Sequence, residues 1–369
     1  MFTLIKTDKA TRARTGVFCS KHGKFSTPAF FPVATQAAIK GLSAGDISDI
    51  GIEGLLVNAY HLYLRPGVKI IKECGGLHAF MNFKKAIITD SGGYQIFSLN
   101  ALRSVSDKGV SFKSHIDGRR IFLTPEDIMQ AQIAMGSDIV VPLDECIKLP
   151  ATYLDARRAM LRSLDWAGKS KAYFKKHASD AQLFFGIVQG ATFNDLRKQC
   201  LERLMDIGID GFCIGGLSVG ESADLRYNTL SYITENADKE YLRYFMGYGK
   251  PEGILEAVSL GIDLFDCILP TRLGRTGTAF TDRGKVILRD SPYASDTGPI
   301  DSKCACSVCR EYSRAYIRHL FNAKEMLGAQ LLTYHNVFWY NNFMKRIRTA
   351  IEDGSFVQFK KDFLSNYCR

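Results

Sequence analysis

A chain of 369 residues with a net charge of +10, 46% of it apolar and 23% charged, is too long for one minimal domain and has ordinary globular composition. No apolar stretch approaches the roughly 20 residues of a membrane span, and the opening MFTLIKTDKATRAR flanks a very short apolar patch with charge, which excludes a secretory signal. The cytoplasm is the expected compartment, so the ten cysteines do not imply a disulfide framework, and the basic balance favours a polyanionic partner such as nucleic acid.

Residues 1–27 read as an N-terminal β-rich cap. Apolar runs then recur with helix-like segments between them: strands are predicted at 28–34, 54–60, 86–90, 138–144, 183–189, 211–215, 244–247 and 264–269. Between the third and fourth lies GVSFKSHIDGRRIFL (109–123), an expected hairpin insertion turning at Asp117-Gly118. Thr124-Pro125-Glu126-Asp127 then opens a helix that Gly136 closes: a capping hydroxyl, a proline in the first turn and acids at the positive dipole end. Helical patterning follows at 152–176, 193–207, 221–236 and 251–260.

Eight strands alternating with helices over 28–269 predict an α/β fold, a (β/α)8 TIM-type barrel with insertions. A doubly wound open sheet is the alternative, weakened because no GxGxxG follows the first strand. On a barrel, the strand-end residues Asn58, Asp90, Asp144, Gln189, Gly216, Gly247 and Asp266 ring the C-terminal mouth, where active sites sit. Three of them are aspartates closing apolar runs, a pattern that puts carboxylates into one pocket. Residues 270–369 read as a zinc-binding subdomain with C-terminal helices. There Cys304, Cys306 and Cys309 offer three soft ligands, and a histidine completes a closed tetrahedral site for one structural Zn2+. Spacing alone leaves His319 and His335 equal as the fourth ligand.

The motifs Asp90-Ser91-Gly92-Gly93-Tyr94-Gln95, Asp144-Glu145-Cys146, Val188-Gln189-Gly190, Gly215 to Glu221 and Phe265-Asp266-Cys267 stand in one order with the cysteine cluster. With them the chain resembles the tRNA-guanine transglycosylases of the bacterial type, from about residue 10 to residue 345. The resemblance implies a homodimeric pentosyltransferase that exchanges the wobble guanine in the anticodon loop of GUN-anticodon tRNAs for 7-aminomethyl-7-deazaguanine, a queuosine precursor. It makes Asp266 the nucleophile at the ribose C1′ and Asp90 the general acid–base. Asp144, Gln189 and Gly216 then bond the purine edge, and Tyr94 and Met246 sandwich its plane. Leu217 offers its carbonyl to the aminomethyl group, with Glu221 supporting that peptide. Lys250, Arg272 and Arg275 meet RNA phosphates, and His335 is the fourth zinc ligand. Retaining base exchange needs such a carboxylate pair, and an extruded base fits reading of its edge.

Ile147-Lys148-Leu149-Pro150 departs from the family's usual loop after Asp144-Glu145-Cys146, Ala191 replaces a frequent glycine, and Leu273 and Thr276 replace frequent polar residues. Glu145 is a possible sharer of the duties of Asp144. Val219 and Cys146 follow the bacterial pattern against the queuine-accepting eukaryotic one. With the chain stopping at Arg369, the archaeal type with its extra C-terminal RNA-binding domains is not expected, and no active-site aspartate is missing as would be expected of a catalytically dead partner subunit. Outside the family, a retaining glycoside hydrolase is the rival enzyme, but Trp166 and Trp339 lie at no strand end. A zinc hydrolase is disfavoured by the closed ligand set.

Overall fold

The structure is a computed structural model that describes residues 1–99 and 104–367. Eight parallel strands build its centre: β1 (Ala29–Pro32), β2 (Gly54–Asn58), β3 (Ala86–Asp90), β4 (Ile139–Val140), β5 (Leu183–Val188), β6 (Gly211–Ile214), β7 (Arg243–Phe245) and β8 (Leu264–Cys267). Each pairs with its neighbour in chain order, β8 pairs back onto β1, and a parallel bridge between Val33 and Leu56 joins β1 to β2. The ring therefore closes as the barrel expected, and the open-sheet alternative falls.

The fourth strand is much shorter than predicted. Gln132, from the preceding helix, donates to the Val141 carbonyl (2.8 Å) and accepts from its N–H (3.0 Å), which takes the place of the ladder. Pro142 next supplies no N–H. The second strand stops at Asn58 because Ala59–Leu64 coils into a helix, and the eighth at Cys267, just before helix Leu269–Arg275. Around the ring run the helices Pro125–Met135, Tyr153–His177, Asn194–Ile207, Ala223–Glu235 and Pro251–Ser259. The first has the predicted cap: Thr124 and Asp127 exchange hydrogen bonds through side chain and backbone, and Gly136 closes it in the left-handed conformation. Residues 104–123 form a three-stranded antiparallel sheet (Ser104–Ser106, Gly109–Lys113, Arg120–Leu123), one strand more than the expected hairpin.

The N-terminal sheet (Phe2–Thr7, Arg14–Ser20, Gly23–Thr27) plugs the bottom of the barrel, with Phe18 edge-on to Phe185 at 5.7 Å. Asp138, at the start of β4, clamps this cap in place. Its buried carboxylate accepts from the His22 backbone N–H (3.0 Å), His22 Nδ1 (2.8 Å), His78 Nε2 (3.1 Å) and the Ile87 N–H (2.9 Å). The two imidazoles stack at 3.5 Å, each turned to the same carboxylate. After β8 the chain makes a hairpin (Thr278–Thr281, Gly284–Ile287) and short helices, then the long helix Met326–Asp353. That helix returns to the barrel: Tyr340 packs on Phe30 at 4.7 Å and donates to the Gly249 carbonyl (2.5 Å), and Arg348 donates to the Pro28 carbonyl (2.7 Å).

Burial would raise the Asp138 carboxyl, but hydrogen bonds from His78, the Ile87 N–H and His22 outweigh it and hold it at about 2. A depressed carboxyl stabilises the fold above about pH 4 and loses that contribution as pH falls toward 2. Asp138→Ala is expected to cost about 3–5 kcal/mol at pH 7, the scale for emptying one side of a buried ionic cluster. Urea unfolding of the two proteins at pH 7 and pH 3 checks this, with the difference shrinking at the lower pH.

Candidate active site

The strand ends converge as a barrel requires. Asp90 is the last residue of β3, Asp266 lies in β8, and Asp144 follows β4 by the turn through Pro142. All three line one cavity of about 550 Å³ at the C-terminal mouth. Its walls also carry Tyr94, Gly216, Leu217, Met246 and Arg275. Gln189 stands behind Asp144 at 2% exposure. Glu221 lies behind the backbone of Ser218 and Val219, while Arg272 and Lys250 are exposed outside the cavity wall. Tyr94 lines the cavity but is 54% exposed, at its rim.

Each aspartate is held differently. Asp266 Oδ1 accepts from the Tyr244 hydroxyl (2.5 Å) and the Gly247 N–H (2.7 Å), so its other oxygen stays available to the cavity. Burial pushes its carboxyl up to about 6, against the lowering effect of those two donors. Asp90 Oδ2 accepts from the Asn58 amide and from Gln95 Nε2 (3.1 Å), while its Oδ1 is buried without a partner. Burial drives this carboxyl further, to about 7; Asn58 and Gln95 oppose the rise and the Asp266 charge adds to it. A carboxyl with one empty buried oxygen near neutrality is suited to carry a proton. Asp144 Oδ2 accepts from Gln189 Nε2 (2.6 Å); burial raises it to about 6, with Gln189 and Ser91 opposing. The second N–H of that amide stays free for another acceptor.

The turns that aim these groups have little room. A Cβ on Gly93 would meet Asp144 Oδ1 at 2.4 Å, so only glycine lets the DSGGYQ turn pass the carboxylate. Arg197, fully buried and missed in the sequence, donates to the carbonyls of Val188 (2.6 Å), Ala191 (2.8 Å) and Gly215 (2.8 Å). It ties together the turns after β5 and β6 and holds Ala191 at φ 51, a conformation that favours the glycine expected there. Asn58 stood in the strand-end ring without a role. Tyr244 was detectable too, because it sits two residues before Met246 and so faces the same side of β7. Glu145 does not share the place of Asp144: Arg162 Nη1 engages it at 2.5 Å.

A second cluster lies beyond β8. Cys304, Cys306 and Cys309 surround His335 Nδ1, with sulfur to nitrogen distances of 3.9, 3.5 and 3.3 Å, and together could hold a metal ion. His335 Nε2 bonds the Phe280 carbonyl at 2.7 Å, which orients the ring. His319 faces elsewhere, on helix Arg314–Asn322 outside this group.

The family described as queuine tRNA-ribosyltransferase matches residues 8–369 of the chain. The chain belongs to this family. It is similar to the queuine tRNA-ribosyltransferase of Caldanaerobacter subterraneus subsp. tengcongensis, 49% identical over 99% of this chain and 97% of the relative. The protein of that name from Thermoanaerobacter pseudethanolicus is also 49% identical at the same coverage, and one from a Psychrobacter species is 48% identical over 98% of this chain. The queuine tRNA-ribosyltransferase family consists of tRNA-guanine transglycosylases, so the chain is an enzyme, a pentosyltransferase, and no helix among its described residues is long and apolar enough to cross a membrane.

The Asp90 carboxyl sits near 3.8 when solvated and at about 7 in the fold. Protonation therefore favours the fold, a contribution whole below about pH 4 and lost as pH rises through about 7. Asp90→Asn, which never ionises, is expected to raise the unfolding free energy at pH 8 by roughly 1–3 kcal/mol, below the ceiling set by about 1.4 kcal/mol per pKa unit. Urea unfolding at pH 8 and pH 4 checks it, the two proteins converging at pH 4.

Proposed function

We propose that this enzyme exchanges the wobble guanine of GUN-anticodon tRNAs for 7-aminomethyl-7-deazaguanine through a ribosyl-enzyme ester on Asp266. The observation that carries this reading is the pairing of two buried carboxyls with different hydrogen-bond supply in one cavity. Asp266 has both donors on one oxygen, and Asp90 has one oxygen with none. At neutral pH Asp266 at about 6 is mostly ionised while Asp90 at about 7 keeps a share of protons.

In the first half-reaction the free oxygen of Asp266 bonds to the ribose C1′ as the bond from C1′ to guanine N9 breaks. The electron pair leaves with guanine, and Asp90 gives up its proton to the departing base. In the second, Asp90 takes the proton from N9 of the incoming base, whose lone pair attacks C1′ and returns the carboxylate to Asp266. Two displacements retain the configuration at C1′. Ionised Asp144 accepts the N–H groups of the purine edge, Gln189 and the Gly216 N–H donate to its O6, and Tyr94 and Met246 cover its faces. The Leu217 carbonyl, backed by Glu221, receives the aminomethyl group. Lys250, Arg272 and Arg275 engage the phosphates; Arg is suited to this through its paired N–H donors. Val219 and Cys146, both in the cavity wall, favour the aminomethyl base over the bulkier queuine. A homodimer in the cytoplasm belongs to the same reading.

The cysteine cluster fits one structural Zn2+. Thiolate and imidazole ligands at about 2.3 and 2.0–2.1 Å stand about 3.6 Å apart on a tetrahedron, and the observed spacings of 3.3–3.9 Å straddle that value. Four protein ligands leave no position for substrate, so the ion would brace the segment around helix Met326–Asp353.

Three measurements test these assignments. Incubating tRNA labelled in the wobble guanine with the aminomethyl base, queuine or guanine should release label fastest with the aminomethyl base. Asp266→Ala should abolish both release and the denaturation-resistant RNA adduct; normal turnover in that variant would sink the mechanism. Chelating zinc should lower the melting temperature and loosen 300–345 in hydrogen exchange before turnover falls. Lost activity with that segment still protected would contradict a bracing role.

A further inference from the structure

The insertion between β3 and β4 supplies no group to the aspartate cavity, yet it is packed against its wall. Its strands Ser104–Ser106, Gly109–Lys113 and Arg120–Leu123 pair antiparallel, so their side chains alternate between two faces. One face is apolar and turned inward: Val110, Phe112 and Leu123 are buried with Tyr60, Leu143 and Trp166. Leu143 immediately precedes Asp144, and Tyr60 stands two residues after Asn58, so the sheet rests on the strand ends that form the site. At its turn, His115 Nδ1 lies 3.0 Å from the Tyr60 hydroxyl, and its ring meets that of His61 edge to face at 5.5 Å. His61 lines the cavity.

The other face is turned to solvent. Ser104, Ser111 and Phe122 stand side by side across the three strands, and two residues along the same face Lys113 stands opposite Arg120. Phe122 is 50% exposed, and Ser104, Lys113 and Arg120 are exposed around it. The acids of the insertion are engaged elsewhere: Asp117 pairs with Arg119 at 3.3 Å and Asp107 with Arg162 at 2.9 Å. Among the described residues no carboxylate pairs with Lys113 or Arg120. Like charges directly opposite each other on a sheet repel, and a polyanion relieves that repulsion. An aromatic ring flanked by cations on an open sheet face is an arrangement on which unpaired bases stack.

We propose that this face is an RNA-contact surface, on which an unpaired nucleotide of the anticodon loop stacks on Phe122 while neighbouring phosphates meet Lys113 and Arg120. This deepens the base exchange proposed above and rests on tRNA being the substrate. Extruding the target guanine into the cavity leaves its neighbours without a stacking partner, and a ring on the rim replaces it. Ser111, the register partner of Phe122, is four residues from His115, no more than about 14 Å of extended chain. A few nucleotides cover that span. The Ser104 and Ser111 hydroxyls add donors for phosphate oxygens. Strands β3 and β4, which the insertion joins, stand across the ring from β7 and β8, which precede Lys250, Arg272 and Arg275. The loop is thereby gripped from both sides of the mouth.

The test measures binding of an anticodon stem–loop RNA carrying a GUN anticodon from about 50 to 200 mM salt. Wild type is compared with Phe122→Ala, Phe122→Trp and the double variant Lys113→Ala with Arg120→Ala, each checked for an unchanged melting profile. Phe122→Ala is expected to weaken binding roughly tenfold, the scale of one stacked base, and Phe122→Trp to retain it. The double variant should lower the salt slope by about 1.4, the share of two phosphates of a single strand. At saturating RNA, KM for the incoming base should be the wild-type value in every variant. Wild-type affinity and slope in both alanine variants would overturn the surface while leaving base exchange standing. A changed oligomeric state with unchanged RNA affinity would assign the face to a second copy of the chain and also overturn it. A wild type that binds the RNA but exchanges no base, with the variant losses intact, would overturn the exchange and uphold the surface.

Discussion

Placing carboxyl groups in a desolvated cavity is the constraint on which the rest of this molecule turns. Water is replaced around Asp90, Asp144 and Asp266 by a few fixed donors, and all three carboxyls rise as a result. What separates them is the number and placement of those donors. Asp266 receives a phenol and a peptide N–H on a single oxygen; Asp90 receives two amides on one oxygen and nothing on the other. Identical side chains are thereby given different proton affinities by the scaffold alone.

The barrel supplies those donors cheaply because its strands all end at the same rim. Asn58 and Asp90 are direct partners in the β2–β3 register, so their side chains meet without any special loop. Tyr244 and Asp266 come from adjacent strands too, offset by two residues in the β7–β8 register and joined by the phenol's hydrogen bond. The loops do what strands cannot, and there the backbone becomes extreme: Gly92, Gly93, Ala191, Gly216 and Ser218 pass through close approaches or left-handed conformations. Buried Arg197 and the pair of Glu221 with Arg226 hold those loops, so charged side chains stabilise the parts of the rim that regular structure does not reach.

Much of this was legible in the linear chain, because short apolar runs ending in Asn, Asp or Gln are what a buried parallel strand opening on a polar rim must look like. The Thr124 cap and the Gly136 stop act within a single turn of chain, and they read correctly for that reason. Features that depend on distant partners did not read. The shortness of β4 comes from Gln132 reaching across to Val141, and periodicity carries no trace of such a side-chain substitute. Likewise the choice between His319 and His335 depends on how two helices fold back on the cysteines, not on spacing. Glu145 read as a possible sharer of the duties of Asp144, but Arg162 engages it instead. Arg226 has no motif at all; only the three-dimensional approach to Glu221 gives it meaning.

The long helix that ends the fold also orders its assembly. Strand β8 is complete at Cys267, yet the helix that covers β1 begins only at Met326 and reaches Phe30 through Tyr340. Nearly sixty residues must therefore leave the ribosome between the last strand and the element that shields the ring where it closes. His335 lies on that same helix, little more than one turn before Tyr340. Arrival of the helix would bring the fourth ligand to the cysteines and the cover to the barrel in one event. Covering the ring where it closes and completing the group of three cysteines and His335 therefore depend on the same helix.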